Sequence, residues 1–151
     1  MSTDRHLARL AVYILFRQDG KILLLRRHNT GYRDGQYTLP AGHVDPDESF
    51  IHTCIREGAE ETGLTIDPAA LTLAHVMQRH EPGTNYDDYV DYYFVCDKWM
   101  GVAALNEPDK ADDLQWVTLD EAKELAVIDY VVDAIEYIDA GVMYSHRGFA
   151  Q

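Results

Sequence analysis

Between Ser49 and Thr62, the residues Ile51, Ile55, Gly58, Ala59 and Thr62 recur at helical spacing, and Gly63 stands where a left-handed cap would end the helix. A helix with one apolar side has to bury it against something. The runs before and after this segment are strand-like, so the chain is expected to mix strands and helices in layers: α+β, or a layered α/β sandwich. Two starts fit the helix. Asp45-Pro46-Asp47-Glu48 has the D-x-x-E form of a capping box with Pro at the first helical position, and Ser49 is equally suited as N-cap behind a turn.

The remaining elements follow from local chemistry. Leu7 to Phe16 and Lys21 to Arg26 are β-rich and meet at Gln18-Asp19-Gly20, whose Asp-Gly pair supplies the positive φ angles of a tight hairpin. His28 to Gln36 is polar and irregular, with Gly31 and Gly35, and leads into Tyr37-Thr38-Leu39-Pro40. Leu71 to Gln78, Tyr89 to Lys98 and Leu114 to Val117 read as strands. Thr118-Leu119-Asp120-Glu121 is a capping box, and Ile128, Val131, Ile135 and Ile138 mark a last helix that Gly141 closes. At 151 residues with 46% hydrophobic side chains, the chain has enough apolar material for one core, and a single domain over 1–151 is expected.

Glu57, Glu60 and Glu61 share one stripe of the helix, roughly opposite its apolar side. Three like charges so placed repel by a few tenths of a kcal/mol per pair, so solvent, Arg56 or a divalent cation must offset them. Gly42, Glu48, Arg56, Glu57, Glu60, Glu61 and Gly63 also fit the form G-x5-E-x7-R-E-U-x-E-E-x-G-U, where U is apolar. This pattern resembles the Nudix hydrolases, and the resemblance implies their α/β/α sandwich with a mixed sheet. Seven specified residues would coincide by chance in a chain this long with a probability on the order of 10⁻⁶ or less. The match runs from Gly42 to Leu64 and departs once, at Gly58, where U is expected. Glycine there costs roughly 1 kcal/mol of helix propensity or marks a close backbone contact.

The resemblance implies that Glu57, Glu60 and Glu61 hold Mg²⁺ or Mn²⁺ with the Gly42 carbonyl, and that Arg56 and Glu48 pair to fix the loop against the helix. Oxygen ligands suit such ions, which keep waters while bridging substrate phosphates. A metal-activated water attacking phosphorus makes the chain a hydrolase of phosphoanhydrides, with Glu57 as first choice for the base. Glu107, in Asn106-Glu107-Pro108-Asp109-Lys110, is the candidate outside the motif, because with Trp116 it resembles an E-P-x-K…W stretch of many Nudix sequences. Met100 and Val102 are apolar where some relatives carry an acidic ligand.

For the rest of the substrate, Arg26, Arg27, His28 and Arg33 form the one local basic patch, with Arg79 and His80 as further candidates for phosphate contact. Trp116 is the candidate for stacking on a base. The tyrosines between Tyr86 and Tyr93 fit strand alternation, a pocket or a homodimer face. The histidines show no paired zinc spacing, and no G-x-S-x-G nucleophile or phosphate-binding G-x-x-x-x-G-K-[ST] loop occurs. A net charge of −13 opposes stable DNA binding but accommodates a small polyanion through divalent cations.

The expected substrate is a nucleoside di- or triphosphate derivative, foremost a (d)NTP cleaved to NMP and pyrophosphate. An RNA 5′-end pyrophosphohydrolase and a nucleotide-sensing module without catalysis are the alternatives. Only two cysteines, Cys54 and Cys96, expected as reduced thiols, and no leader pattern over Met1 to Arg9 lead to the expectation of a cytoplasmic protein off the membrane.

Overall fold

Alternation along the first strand sets the layers. In β1 (Arg9–Gln18), Ala11, Tyr13 and Leu15 point to one core and Val12, Ile14 and Phe16 to another, all six buried. A strand buried on both faces must lie centrally with other layers above and below it. The computed structural model describes residues 5–150; Met1–Asp4 and Gln151, and with them the first part of the stretch examined for a leader, lie outside the described residues.

The elements run β1, β2 (Lys21–Arg27), β3 (Tyr37–Thr38), β4 (Ala41–His43), α1 (Phe50–Thr62), β5 (Thr65–Ile66), β6 (Leu71–His80), β7 (Asp88–Cys96), β8 (Trp99–Met100), β9 (Ala111–Val117), α2 (Leu119–Lys123), α3 (Asp129–Asp139) and β10 (Tyr144–Arg147). The Asp-Gly hairpin forms as expected, with Asp19 at φ 52° and Gly20 at φ 73°. The sheet is mixed in the order β10-β6-β7-β1-β2-β3, with β1–β7 and β6–β10 parallel.

The hairpin strands stay paired only near their turn, at Arg17↔Ile22 and Gln18↔Lys21. Farther back they part. β4 pairs with β1 from Ala11↔His43 to Tyr13↔Ala41, whereas β3 and β9 pair with β2. Pro40, which lacks an N–H, sits in this fork and accepts from the Ile14 N–H at 2.8 Å.

α1 covers one face through Cys54, Ile51 and Ile55 over Val12, Ile14, Phe16 and Phe94; α3 covers the other through Tyr130, Val131, Ala134 and Ile135 over Tyr13, Leu15 and Tyr93. This is the α+β sandwich the sequence predicts. Gly58 is explained by packing, because a Cβ there would lie 2.7 Å from Ile66 Cδ1 and 3.4 Å from Phe16 Cζ. Ala59, assigned to the apolar side, is instead exposed, and Thr53 and Cys54 take the buried positions. β4, the small β5–β8 pair and β10 have no counterpart in the sequence reading. β10 is fixed by His75, whose ring nitrogens lie 2.7 Å from the Val142 carbonyl and 2.7 Å from Ser145 Oγ. No helix among the described residues is long and apolar enough to cross a membrane.

Candidate active site

Ser49 settles the start of α1: its Oγ accepts from the His52 N–H at 3.0 Å, and Gly63 closes the other end at φ 74°. The segment before it is a turn, with Asp47 at φ 63° and Glu48 reaching back to the Asp45 N–H at 3.2 Å. That turn presents Glu48 to Arg56. The pair is bidentate, Nε to Oε2 at 2.7 Å and Nη2 to Oε1 at 2.9 Å, and Arg56 also donates to the His43 carbonyl at 3.2 Å. The loop is thereby fixed to the helix, and the guanidinium hydrogen bonds hold the Glu48 carboxyl at about 2.

Glu61 does not face solvent opposite the core. It turns toward the sheet and accepts from the Ala41 N–H at 2.9 Å. Burial, then the neighbouring Glu57 charge, raises its carboxyl well above the ordinary value. Glu57 lies against Gly42 so closely that its carboxyl occupies the space a Cβ on residue 42 would need, which explains the glycine. Burial raises Glu57 as well, against the opposing hydrogen bond from Arg56 Nη1 at 2.8 Å. The same Nη1 meets Glu60 at 3.3 Å, and Glu60 remains half-exposed.

Glu107 arrives from far along the chain. Asn106 pins it there by donating through Nδ2 to the Ala59 and Glu60 carbonyls, at 3.2 and 3.0 Å, and through its N–H to the Glu61 carbonyl at 3.2 Å. These side chain bonds to the last turn of α1 escape a reading by motif alone.

Glu57, Glu60, Glu61 and Glu107 line one cavity of 490 Å³, with Arg27 and Lys110 at its edge. Among the described residues no three acidic, imidazole or thiol groups close into a ready cation cage, and Arg56 stands between Glu57 and Glu60. The donor set nonetheless fits a hard divalent cation. It is all oxygen, it includes two partly buried acids without a full complement of counter-charge, and a glycine makes room for one of them.

A second cavity of 440 Å³ adjoins the first and shares the wall made by Arg27, Thr30, Thr38, Ala41, Gly42 and His43. Its far side is aromatic, with Tyr13, Tyr32, Tyr89 and Tyr130 around the buried Arg79. The fork between β1 and β2 opens onto both.

The chain matches the family model described as the NUDIX domain over residues 5–135. It belongs to that family. A MutT-like protein from Streptomyces ambofaciens is 28% identical over 89% of this Nudix chain and 80% of its own length. At the same identity, an ADP-ribose pyrophosphatase from Methanocaldococcus jannaschii is matched over 78% of this chain and a CMP-5′-(N-acetyl-N-hydroxy-3-aminopropyl)phosphonate hydrolase from Streptomyces rubellomurinus over 76%. The chain spans only 66% and 53% of the length of those two relatives. Among solved structures, the MutT NUDIX hydrolase of Burkholderia pseudomallei superposes with a TM-score of 0.75 at 26% identity, covering 86% of this chain and 97% of its own.

The predicted substrate residues separate in space. Arg27 alone of the basic patch lines both cavities. Arg26 pairs with Asp112 at 2.7 Å and lines neither; Arg33 pairs with Glu81 at 3.0 Å and lies 3.6 Å from Asp129. Arg79, offered as a phosphate contact, is buried against Asp91 at 2.6 Å, and His80 holds Asp88 at the same distance. Trp116 is half-buried and packs against the core: it stacks on Trp99 with centroids 5.7 Å apart and lines neither cavity. Of the tyrosines between Tyr86 and Tyr93 that the sequence offers for a pocket, Tyr89 lines the second cavity; Tyr13, Tyr32 and Tyr130, which the sequence reading missed, supply the rest of its aromatic wall.

Proposed function

We propose that this Nudix chain is a divalent-metal-dependent hydrolase of a phosphoanhydride bond, acting on a (d)NTP to release NMP and pyrophosphate. The observation that carries the reading is the junction of two unlike cavities, one lined by carboxylates and one by tyrosines, along a wall that includes Arg27. A nucleotide needs both environments, because its phosphates require counter-charge and its base requires flat apolar surface with a few polar atoms.

Glu57, Glu60 and Glu61, with the Gly42 carbonyl, would hold Mg²⁺ or Mn²⁺, which when bound supplies an activated water and charge neutralisation at phosphorus. Arg56 and Glu48 keep Glu57 and the 42–48 turn in register. Arg27 has donors left for a phosphate after bonding the Tyr32 carbonyl and Thr30 Oγ1, at 2.6 and 2.9 Å. Glu57 is assigned as proton acceptor; Glu107 faces the same cavity and is the alternative, and the pH–rate profiles of Glu57→Gln and Glu107→Gln discriminate between them. Buried, unpaired Cys54 and Cys96 support a reducing, cytoplasmic setting.

The test is a panel of nucleoside triphosphates, nucleoside diphosphate sugars and capped or triphosphorylated RNA with Mg²⁺ or Mn²⁺, reading phosphate and pyrophosphate. Pyrophosphate from a (d)NTP is expected. Preference for a nucleoside diphosphate sugar would reassign the substrate, and no turnover on any member would remove the hydrolase reading.

A further inference from the structure

The loop of residues 28–36 is built as one rigid piece. Asp34 accepts from the Thr30 N–H at 3.0 Å, from Thr30 Oγ1 at 2.6 Å and from the Gly31 N–H at 2.9 Å. Asn29, Gly31, Arg33 and Gly35 all lie at positive φ, between 52° and 85°, so the backbone doubles back on itself. Such a piece docks as a unit.

Its hydrogen bonds from Tyr32 Oη and Arg33 Nη2 converge on one carboxylate outside the loop, with Asp129 a second, more distant partner of Arg33 at 3.6 Å. Glu81, just past the end of β6, accepts from Tyr32 Oη at 2.9 Å and from Arg33 Nη2 at 3.0 Å. It also binds Arg79, which is anchored independently by Asp91 and lies face-on to Tyr130 at 3.9 Å. Tyr32 Oη meets Tyr130 Oη at 3.0 Å, and its ring forms part of the tyrosine-lined cavity. The charge of Arg33 is met by Glu81 and, at 3.6 Å, by Asp129.

We propose that Glu81 is a positioning residue: it clasps the 28–36 loop over the tyrosine-lined cavity, so that Tyr32 becomes the wall that grips the planar end of the substrate. This rests on the nucleotide-hydrolase reading above. At its phosphate end the same loop is tied to Arg27, whose Nε donates to the Tyr32 carbonyl at 2.6 Å. Loss of the clasp therefore weakens substrate capture before it touches the chemistry at the carboxylates, and the effect appears in KM.

The experiment uses Glu81→Gln, with Arg33→Ala and Tyr32→Phe cutting the loop's side of the clasp while leaving Arg79, Asp91 and Glu81 together. Arg33→Lys serves as the conservative rescue. Three quantities are read: KM and kcat for the best nucleotide of the panel, binding of AMP, GMP, CMP and UMP without metal, and amide hydrogen exchange of a peptide spanning 28–36. Losing charge-assisted hydrogen bonds should raise KM and the mononucleotide Kd about tenfold or more, with kcat held within about twofold. Exchange in the loop should quicken by a similar factor and slow again when nucleotide saturates the protein.

Arg33→Lys should recover part of the affinity. Unchanged KM, Kd and loop exchange in folded Arg33→Ala and Tyr32→Phe would overturn the clasp, as would absence of mononucleotide binding by the native protein. If no phosphoanhydride is cleaved while Kd and exchange still respond, the clasp stands and the hydrolase reading alone fails.

Discussion

Gly42 and Glu57 define the tightest fit in the site, because the carboxyl of one occupies the side-chain space of the other. Gly42→Ala must push Glu57 away, and a displacement of about 1 Å is expected to cost roughly 10²-fold in kcat while the fold persists; steady-state kinetics and circular dichroism check both halves. Glu61 presents an opposite balance. Burial lifts its carboxyl, so its charge opposes folding as pH rises through the folded value, and at neutral pH without divalent metal Glu61→Gln should melt higher than the native chain while losing most turnover. Added Mg²⁺ should raise the melting temperature of the native chain and not of this variant. Glu48 runs the other way: its carboxyl, held at about 2 by Arg56, contributes stability above its ordinary value near 4.3 that is lost as pH falls from there toward about 2. Thermal melts between pH 2 and 6 should show a steeper acid decline for the native chain than for Glu48→Gln.

At the level of elements, α1 was the most legible part of the chain, since period, cap residues and acid spacing all agree in Ser49 to Gly63. The Ser49→Ala change removes the bond to the His52 N–H and should cost about 1 kcal/mol, some 2–4 °C of melting temperature, with kcat unchanged. What the sequence concealed was mostly tertiary. β4 is three residues long and exists because the hairpin strands diverge to admit it; β10 is polar, at a sheet edge, and held by a buried His75 from a strand nearly seventy residues earlier. Neither has a local periodicity to detect. Trp116 shows the same limit, for a strand tryptophan looks alike whether it faces a ligand or, as here, Trp99.

Across the whole molecule, the mixed-sheet sandwich was readable from element order, and the grouping of Glu57, Glu60 and Glu61 from spacing alone. The tyrosine-lined cavity was legible only at Tyr89, because Tyr13, Tyr32 and Tyr130 come from three other segments that only the folded chain assembles. The net charge of −13 acts at this scale too. Filter binding of single-stranded RNA should show weak retention with little dependence on salt between 50 and 200 mM, whereas a slope of several ions released would support the RNA-end reading.

The divergence of β1 from β2 means that Glu57, Glu60 and Glu61 ride on a helix braced by one arm of the opening, while the Tyr32 and Glu81 contacts ride on loops elsewhere in the chain. Diversification can therefore exchange those loops and retarget the catalyst to a new leaving group or ring without retuning the acids, much as a chuck accepts different bits on one spindle.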